Sequence, residues 1–205
     1  MLRDKLQVLI DIVASDVAAL PAGAGGATET SARMAETVPE LTYSEVPPAR
    51  QPVCDYLPDA LDLIAQTRSD LADAISAIEG DLHWAIPSSY DANASFFTSD
   101  YLSRYAFAQI IGAGGPFSGG DFRMGLFCVA PEEDYPSHFH AAPEMYYPLT
   151  GPHEWQRSEG DWVSKPAFEM LWHDPFETHA TRTGANPFLA VWIWTRDTDQ
   201  PVGFS

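Results

Sequence analysis

The chain has 205 residues, with 29 acidic side chains against 11 basic ones, a formal charge of −18, and 45% hydrophobic and 12% aromatic content. This composition is globular rather than disordered, and the length suffices for one substantial core or a core with a small appendage. The acidity argues against nucleic acid, whose binding rests on Lys and Arg neutralising phosphates, and against an anionic membrane, but not against a small metabolite that is neutral or carries a positive group.

Cys54 and Cys128 are too few for a disulfide framework and lack C-x-x-C spacing. No apolar run reaches the roughly 18–20 residues that a transmembrane helix needs. Charges are scattered through the apolar residues of the N-terminal segment, unlike a secretory signal, and the expectation is a soluble cytoplasmic protein.

In chain order, Leu2, Leu6, Leu9, Ile10, Val13, Val17 and Leu20 recur at helical spacing and predict one amphipathic helix. The glycine-rich stretch that begins at Pro21 predicts a flexible connector over 21–32, and Pro47, Pro48 and Pro52 mark a second irregular stretch. A single helix is expected from Pro58 to Ile78, with Pro58 in its first turn, Leu61, Ile64, Leu71, Ile75 and Ile78 as its stripe, and Gly80 as a C-cap.

The period then changes. Phe122, Met124, Leu126 and Cys128 alternate with Arg123, Gly125, Phe127 and Val129, which predicts a strand with one strongly apolar face. Glu144–Leu149 is a further strand, Trp155–Val163 a hairpin turning at Ser158–Gly160, and Phe168–Trp172, Thr178–Arg182 and Leu189–Thr195 complete the series. Gly112–Gly120 reads as a strand-to-strand loop. Short strands with Pro and Gly between them predict a sandwich or barrel, and no dinucleotide-binding, Walker-type or G-x-S-x-G motif is present.

Chemistry concentrates around one run. His138 and His140 stand two apart, on one face of a strand, and Glu144 follows across Ala-Ala-Pro. Two imidazoles and a carboxylate suit one divalent transition metal, Zn, Fe, Mn, Co or Ni, and the lack of thiolates disfavours a structural zinc site. His173 and His179 are both candidates for a fourth ligand. His153 is expected at the surface, and His83 has no assigned role.

His138-x-His140-x3-Glu144-x6-Gly151 resembles the first motif of the cupin superfamily, with Glu132 where that motif begins with glycine. The second motif is partial: Gly160 and Pro166 match, whereas Phe168 replaces glycine. Thr178-His-Ala-Thr resembles the strand that carries the fourth cupin ligand, which favours His179. The longer run Tyr135–Trp155 is similar to the dimethylsulfoniopropionate (DMSP) lyases, as are Trp84, Ser89-Tyr90, the strand starting at Tyr105, Trp172-His173, His179–Gly184 and Leu189–Trp194. The fold implied is mainly β, a double-stranded β-helix barrel over 96–205 with an N-terminal helical extension over 1–95, as monomer or homodimer.

The activity implied is β-elimination of a small zwitterionic substrate, DMSP, to dimethyl sulfide and acrylate, with His138, His140, Glu144 and His179 on the metal. Tyr146, two residues after Glu144 and so on the same face, matches the family's catalytic base. A tyrosine's ordinary pKa of about 10 makes it a poor base, and an adjacent cation would lower it. Tyr135 resembles a second pocket tyrosine that orients the carboxylate or supports Tyr146. Trp192 and Trp194 face one way and offer a sulfonium about 0.5–2 kcal/mol of cation–π attraction each. Tyr147 points oppositely and reads as packing, and Arg182 reads as a salt-bridge partner. Another metal-dependent cupin enzyme, a dioxygenase or isomerase, or a non-catalytic ligand-binding cupin, remains the alternative.

Overall fold

The computed structural model describes residues 1–21, 23–87 and 99–205; Ser89 and Tyr90 lie outside them. Helices are α1 (Leu2–Ala18), α2 (Ala27–Thr37), α3 (Leu57–Ala65), α4 (Ser69–Ser76) and the short α5 (Ser99–Leu102). The strands begin with β1 (Thr42–Tyr43), β2 (Trp84–Ala85), β3 (Tyr105–Ile111), β4 (Phe117–Ser118), β5 (Arg123–Val129), β6 (Asp134–Phe139) and β7 (Glu144–Pro148). They continue with β8 (His153–Arg157), β9 (Val163–Lys165), β10 (Leu171–His173), β11 (His179–Arg182), β12 (Phe188–Trp194) and β13 (Gly203–Phe204).

The pairings nest: β5 with β12, β6 with β11, β7 with β10 and β8 with β9, all antiparallel. A chain that pairs in this nested order folds back on itself as a double-stranded β-helix, the closure cupins use to protect their sheet edges. One sheet runs β1-β4-β3-β5-β12-β7-β10, with β2 beside β3, and the other runs β13-β6-β11-β8-β9.

Alternation along the central strands divides two buried layers. Met124, Leu126, Cys128, Met145, Tyr147, Leu189, Val191 and Ile193 face the helices, joining Leu6, Ile10, Val13, Ile64 and Ile75 in one core. Phe127, Tyr146, Ala190, Trp192 and Trp194 face the barrel interior. The strand at 123–129 therefore has two buried faces rather than one, and the face that holds Arg123 and Gly125 is the inner one. A sheet covered on both sides reads as near-continuous apolar sequence, which hides the direction of each face.

Three expectations need correcting. The connector ends at Gly26, because α2 begins at Ala27. The helix from Pro58 breaks after Ala65, and Gly80 sits in a 3-10 turn rather than capping it. At that break Arg68 leaves the helical region, with φ −132° and ψ 71°. Its guanidinium then reaches Asp16 at 3.0 Å, Asp70 at 2.7 Å and the Tyr147 hydroxyl at 3.0 Å. His153 is only 1% exposed. Its Nδ1 accepts the Gly184 N–H and its Nε2 lies 3.2 Å from Thr150 Oγ1. The glycine-rich 112–120 segment carries the two-residue β4. Where the two cupin motifs have glycine, Glu132 and Phe168 take φ of 59° and 67°, the left-handed region that glycine enters without steric cost.

Two outcomes follow from this packing. Tyr147 donates to Asp16 Oδ2 at 2.9 Å while accepting from Arg68, so it ties α1 to the barrel wall. Tyr147→Phe lowers unfolding free energy in urea by about 1–2 kcal/mol and leaves the cavity chemistry intact. Burial pulls the His153 pKa down to about 4. As pH falls below the unfolded value of about 6.5, the unfolded chain takes up a proton that the folded chain refuses, so stability is lost on acidification. This group alone removes about 2 kcal/mol between pH 7.5 and pH 5, a loss that His153→Gln abolishes when urea midpoints are compared at both pH values.

Candidate metal centre and cavity

The site forms where the chain crosses from one sheet to the other. His138 lies on β6, His140 just past its end, and Glu144 opens β7 after Ala141-Ala142-Pro143. β11 brings His179 directly opposite His138, with a register shift between His179 and Thr181. Bulges of this kind re-aim side chains beside active sites. One ligand atom from each of His138, His140, Glu144 and His179 lies within 4.8 Å of the others. All four residues are at most 4% exposed.

The protonation pattern is dictated by the backbone. His138 Nδ1 faces Pro136 O at 2.9 Å, His140 Nδ1 faces Ala142 O at 2.7 Å, and His179 Nδ1 faces Glu177 O at 2.8 Å. A carbonyl can only accept, so each Nδ1 carries a proton, and a ring with no second proton turns an Nε2 lone pair inward. This is the outer bond that metal-ligating histidines make. Glu144 Oε2 then sits 3.2 Å from the Nε2 atoms of both His140 and His179. Lone pairs crowded on a buried carboxylate oxygen call for a cation between them, and the residues present fit a divalent one.

The electrostatics agree. Burial, and then the neighbouring rings of His179 and His140, push the His138 pKa well below the usual imidazole value and keep it neutral. Burial alone would raise Glu144, but the imidazoles of His140 and His179, which donate to it when protonated, hold it well below the usual carboxylate range; with the rings neutral, a cation has to take over that part. His173, the other candidate ligand, stands behind the cluster. It stacks on His179 at 4.0 Å and 10°, with Nδ1 3.6 Å from Glu177, while burial lowers its pKa to about 4.

A cavity of about 540 Å³ opens on this cluster, lined in part by Tyr135, His138, His140, Glu144, Tyr146, Trp192 and Trp194. Cross-strand register sets its inner wall in rows. Arg123, Trp194 and Glu144 stand side by side, and Gly125, Trp192 and Tyr146 form the adjacent row. Tyr146 packs near Trp155 at 5.1 Å and His179 at 6.4 Å between ring centroids. Tyr135 meets the His138 ring edge-on at 4.8 Å.

The two tryptophans differ. Trp194 Nε1 donates to Glu144 Oε1 at 2.8 Å, its ring packs 4.5 Å from His140, and Arg123 lies over it. Trp192 has no partner for its buried Nε1 among the described residues. Its indole lies flat because the residue opposite is Gly125, where a Cβ would fall 2.9 Å from Nε1. Arg182 stays outside, paired with Asp134 at 2.8 Å. His83 lines the cavity, and its Nδ1 donates to Pro47 O at 2.8 Å.

Sequence reasoning missed Arg123, His83 and the Trp194–Glu144 bond. Arg123 shares its strand phase with Gly125 and Phe127, so its inward direction follows once that face is known to be interior.

Among the described residues no helix is long and apolar enough to cross a membrane. The chain is 28% identical over 157 residues to the DMSP lyase DddQ of Ruegeria pomeroyi, covering 77% of this chain and 76% of that protein. It is 28% identical over 152 residues to the putative DMSP lyase DddL of Cereibacter sphaeroides, covering 73% of this chain but only 61% of that protein. The crystal structure of the Ruegeria pomeroyi DddQ superposes with a TM-score of 0.80 at 24% identity, covering 98% of this chain and 96% of that one. A second crystal structure, described as one of the DMSP lyases RdDddP and RnDddQII, gives 0.79 at 20% identity, with both chains fully covered. These superpositions establish a shared fold. The sequence model of the DMSP lyase family matches residues 26–190. With so much of its length matched, the chain belongs to the DMSP lyase family.

Proposed function

We propose that the protein splits DMSP into dimethyl sulfide and acrylate by β-elimination. The observation that carries this reading is the buried three-histidine, one-carboxylate cluster opening on a cavity walled by Tyr135, Tyr146 and Trp192. His138, His140, Glu144 and His179 would hold one divalent first-row cation, Zn, Fe, Mn, Co or Ni. When bound, such a cation supplies Lewis acidity toward the substrate carboxylate and stabilises the charge that builds there.

Tyr146 stands one inward position beyond Glu144 on β7, which suits it to take the proton from the carbon beside the carboxylate. The C–H electron pair becomes the new double bond, and the C–S pair leaves with sulfur as neutral dimethyl sulfide. The step consumes no oxidant, which separates it from a dioxygenase. Tyr135, beside His138, orients the carboxylate end or supports Tyr146. The aromatic face of Trp192 receives the sulfonium, because the face of Trp194 already carries Arg123.

Headspace assay after adding DMSP to the metal-loaded protein shows dimethyl sulfide, and chelation abolishes it. Absence of dimethyl sulfide from fully loaded protein overturns the reading. Tyr146→Phe keeps its metal and loses about 10²–10⁴-fold in turnover, as removal of a general base does; wild-type release from that variant removes Tyr146 from the mechanism. His140→Ala and Glu144→Ala lose metal and turnover together, and full occupancy by elemental analysis in either variant refutes its role as a ligand.

A further inference from the structure

The cavity contains a cation that the elimination does not use. Of nine arginines in the chain, Arg33, Arg50, Arg68, Arg104, Arg157, Arg182 and Arg196 each have a carboxylate within ion-pair distance, and Arg3 is exposed. Arg123 is partly buried, lines the cavity, and has no hydrogen-bond or ion-pair partner among the described residues. In a chain with 29 acidic groups, an unpaired inward arginine is conspicuous. Asp121 and Asp199 are the acids close enough to act on it, and neither forms an ion pair. The Asp121 carboxylate is instead bonded to the backbone N–H groups of Asp197 and Thr198, both at 2.9 Å.

The side chain is seated rather than loose. Its guanidinium lies 5.7 Å over Trp194, whose indole N–H holds Glu144. Its stem passes Gly112, where φ is 113° and a Cβ would fall 2.8 Å from Arg123 Cγ. A desolvated fork of N–H donors held open in this way matches a carboxylate.

We propose that Arg123 is a carboxylate-binding subsite of this cavity and sets the direction in which a zwitterion binds. Arg123 stands in the row of Glu144, whereas Trp192 and Tyr146 stand in the neighbouring row, about 7 Å further along the strands. A small zwitterion with its carboxylate in the first row and its sulfonium in the second satisfies both. The reversed pose places like charges together. The orientation rests on the elimination reading, but the carboxylate subsite itself does not.

The test uses metal-loaded wild type, R123Q and R123K, with propionate and the isosteric neutral propionamide as probes followed by tryptophan fluorescence. R123Q weakens propionate binding about tenfold, R123K restores most of it, and propionamide binds all three alike. In turnover, R123Q raises KM for DMSP while kcat stays within about twofold, which reports the entering substrate. A parallel rise in the inhibition constant for acrylate reports the product. Unchanged propionate binding in R123Q at full metal content overturns the subsite. Loss of metal from both variants also overturns it, because Arg123 would then only brace Trp194 and Glu144. Arginine-dependent propionate binding without any dimethyl sulfide release keeps the subsite and discards the elimination.

Discussion

Three backbone carbonyls decide the chemistry of this molecule. By engaging the Nδ1–H of His138, His140 and His179, they aim three Nε2 atoms at the one buried region that holds the Glu144 carboxylate. The four residues are at most 4% exposed, and no Lys or Arg among the described residues pairs with Glu144. Burying such a set is costly unless a cation completes it, and this makes the ligand geometry a consequence of backbone path rather than of side-chain chance. Two of the carbonyls lie two residues before the histidine they hold and one lies two residues after, so each strand end positions its own ligand.

The period-two alternation of the central sheet does the remaining work. Tyr146 and Tyr147 are adjacent and point to opposite layers, one into the cavity and the other into an ionic cluster with Asp16 and Arg68. The same alternation puts Trp192 and Trp194 inside and Val191 and Ile193 against the helices. The helical extension thus covers the back of the wall whose front carries the chemistry, and Tyr147 is the bolt between them. Arg123 brings a positive group to a cavity wall that also carries Glu144, in a chain that is acidic overall.

Periodicity and turn residues were enough to locate α1, most of the strand series and the hairpin at β8–β9, because those signals are local; the strand expected over Phe168–Trp172 begins only at Leu171, since Phe168 stands in a turn with positive φ. The spacing of His138, His140 and Glu144 was likewise readable, since residues two apart on a strand share a face and a short Ala-Ala-Pro link permits the return. The break at Arg68 was not, because the apolar stripe continues through it. The reason for the break lies 79 residues away at the Tyr147 hydroxyl.

What no one-dimensional pattern contains is which side of a doubly covered sheet faces the cavity. Apolar residues on both faces of β5, β7 and β12 give the same signal inward and outward, and the barrel's closure alone breaks that symmetry. His179 over His173, the burial of His153, the task of Trp194 and the inward turn of Arg123 all follow from that closure. Local spacing can declare a set of ligands. Bringing His179 opposite His138, 41 positions earlier, takes a long-range strand pairing, whose energy comes from burying the whole barrel rather than from any residue in the motif.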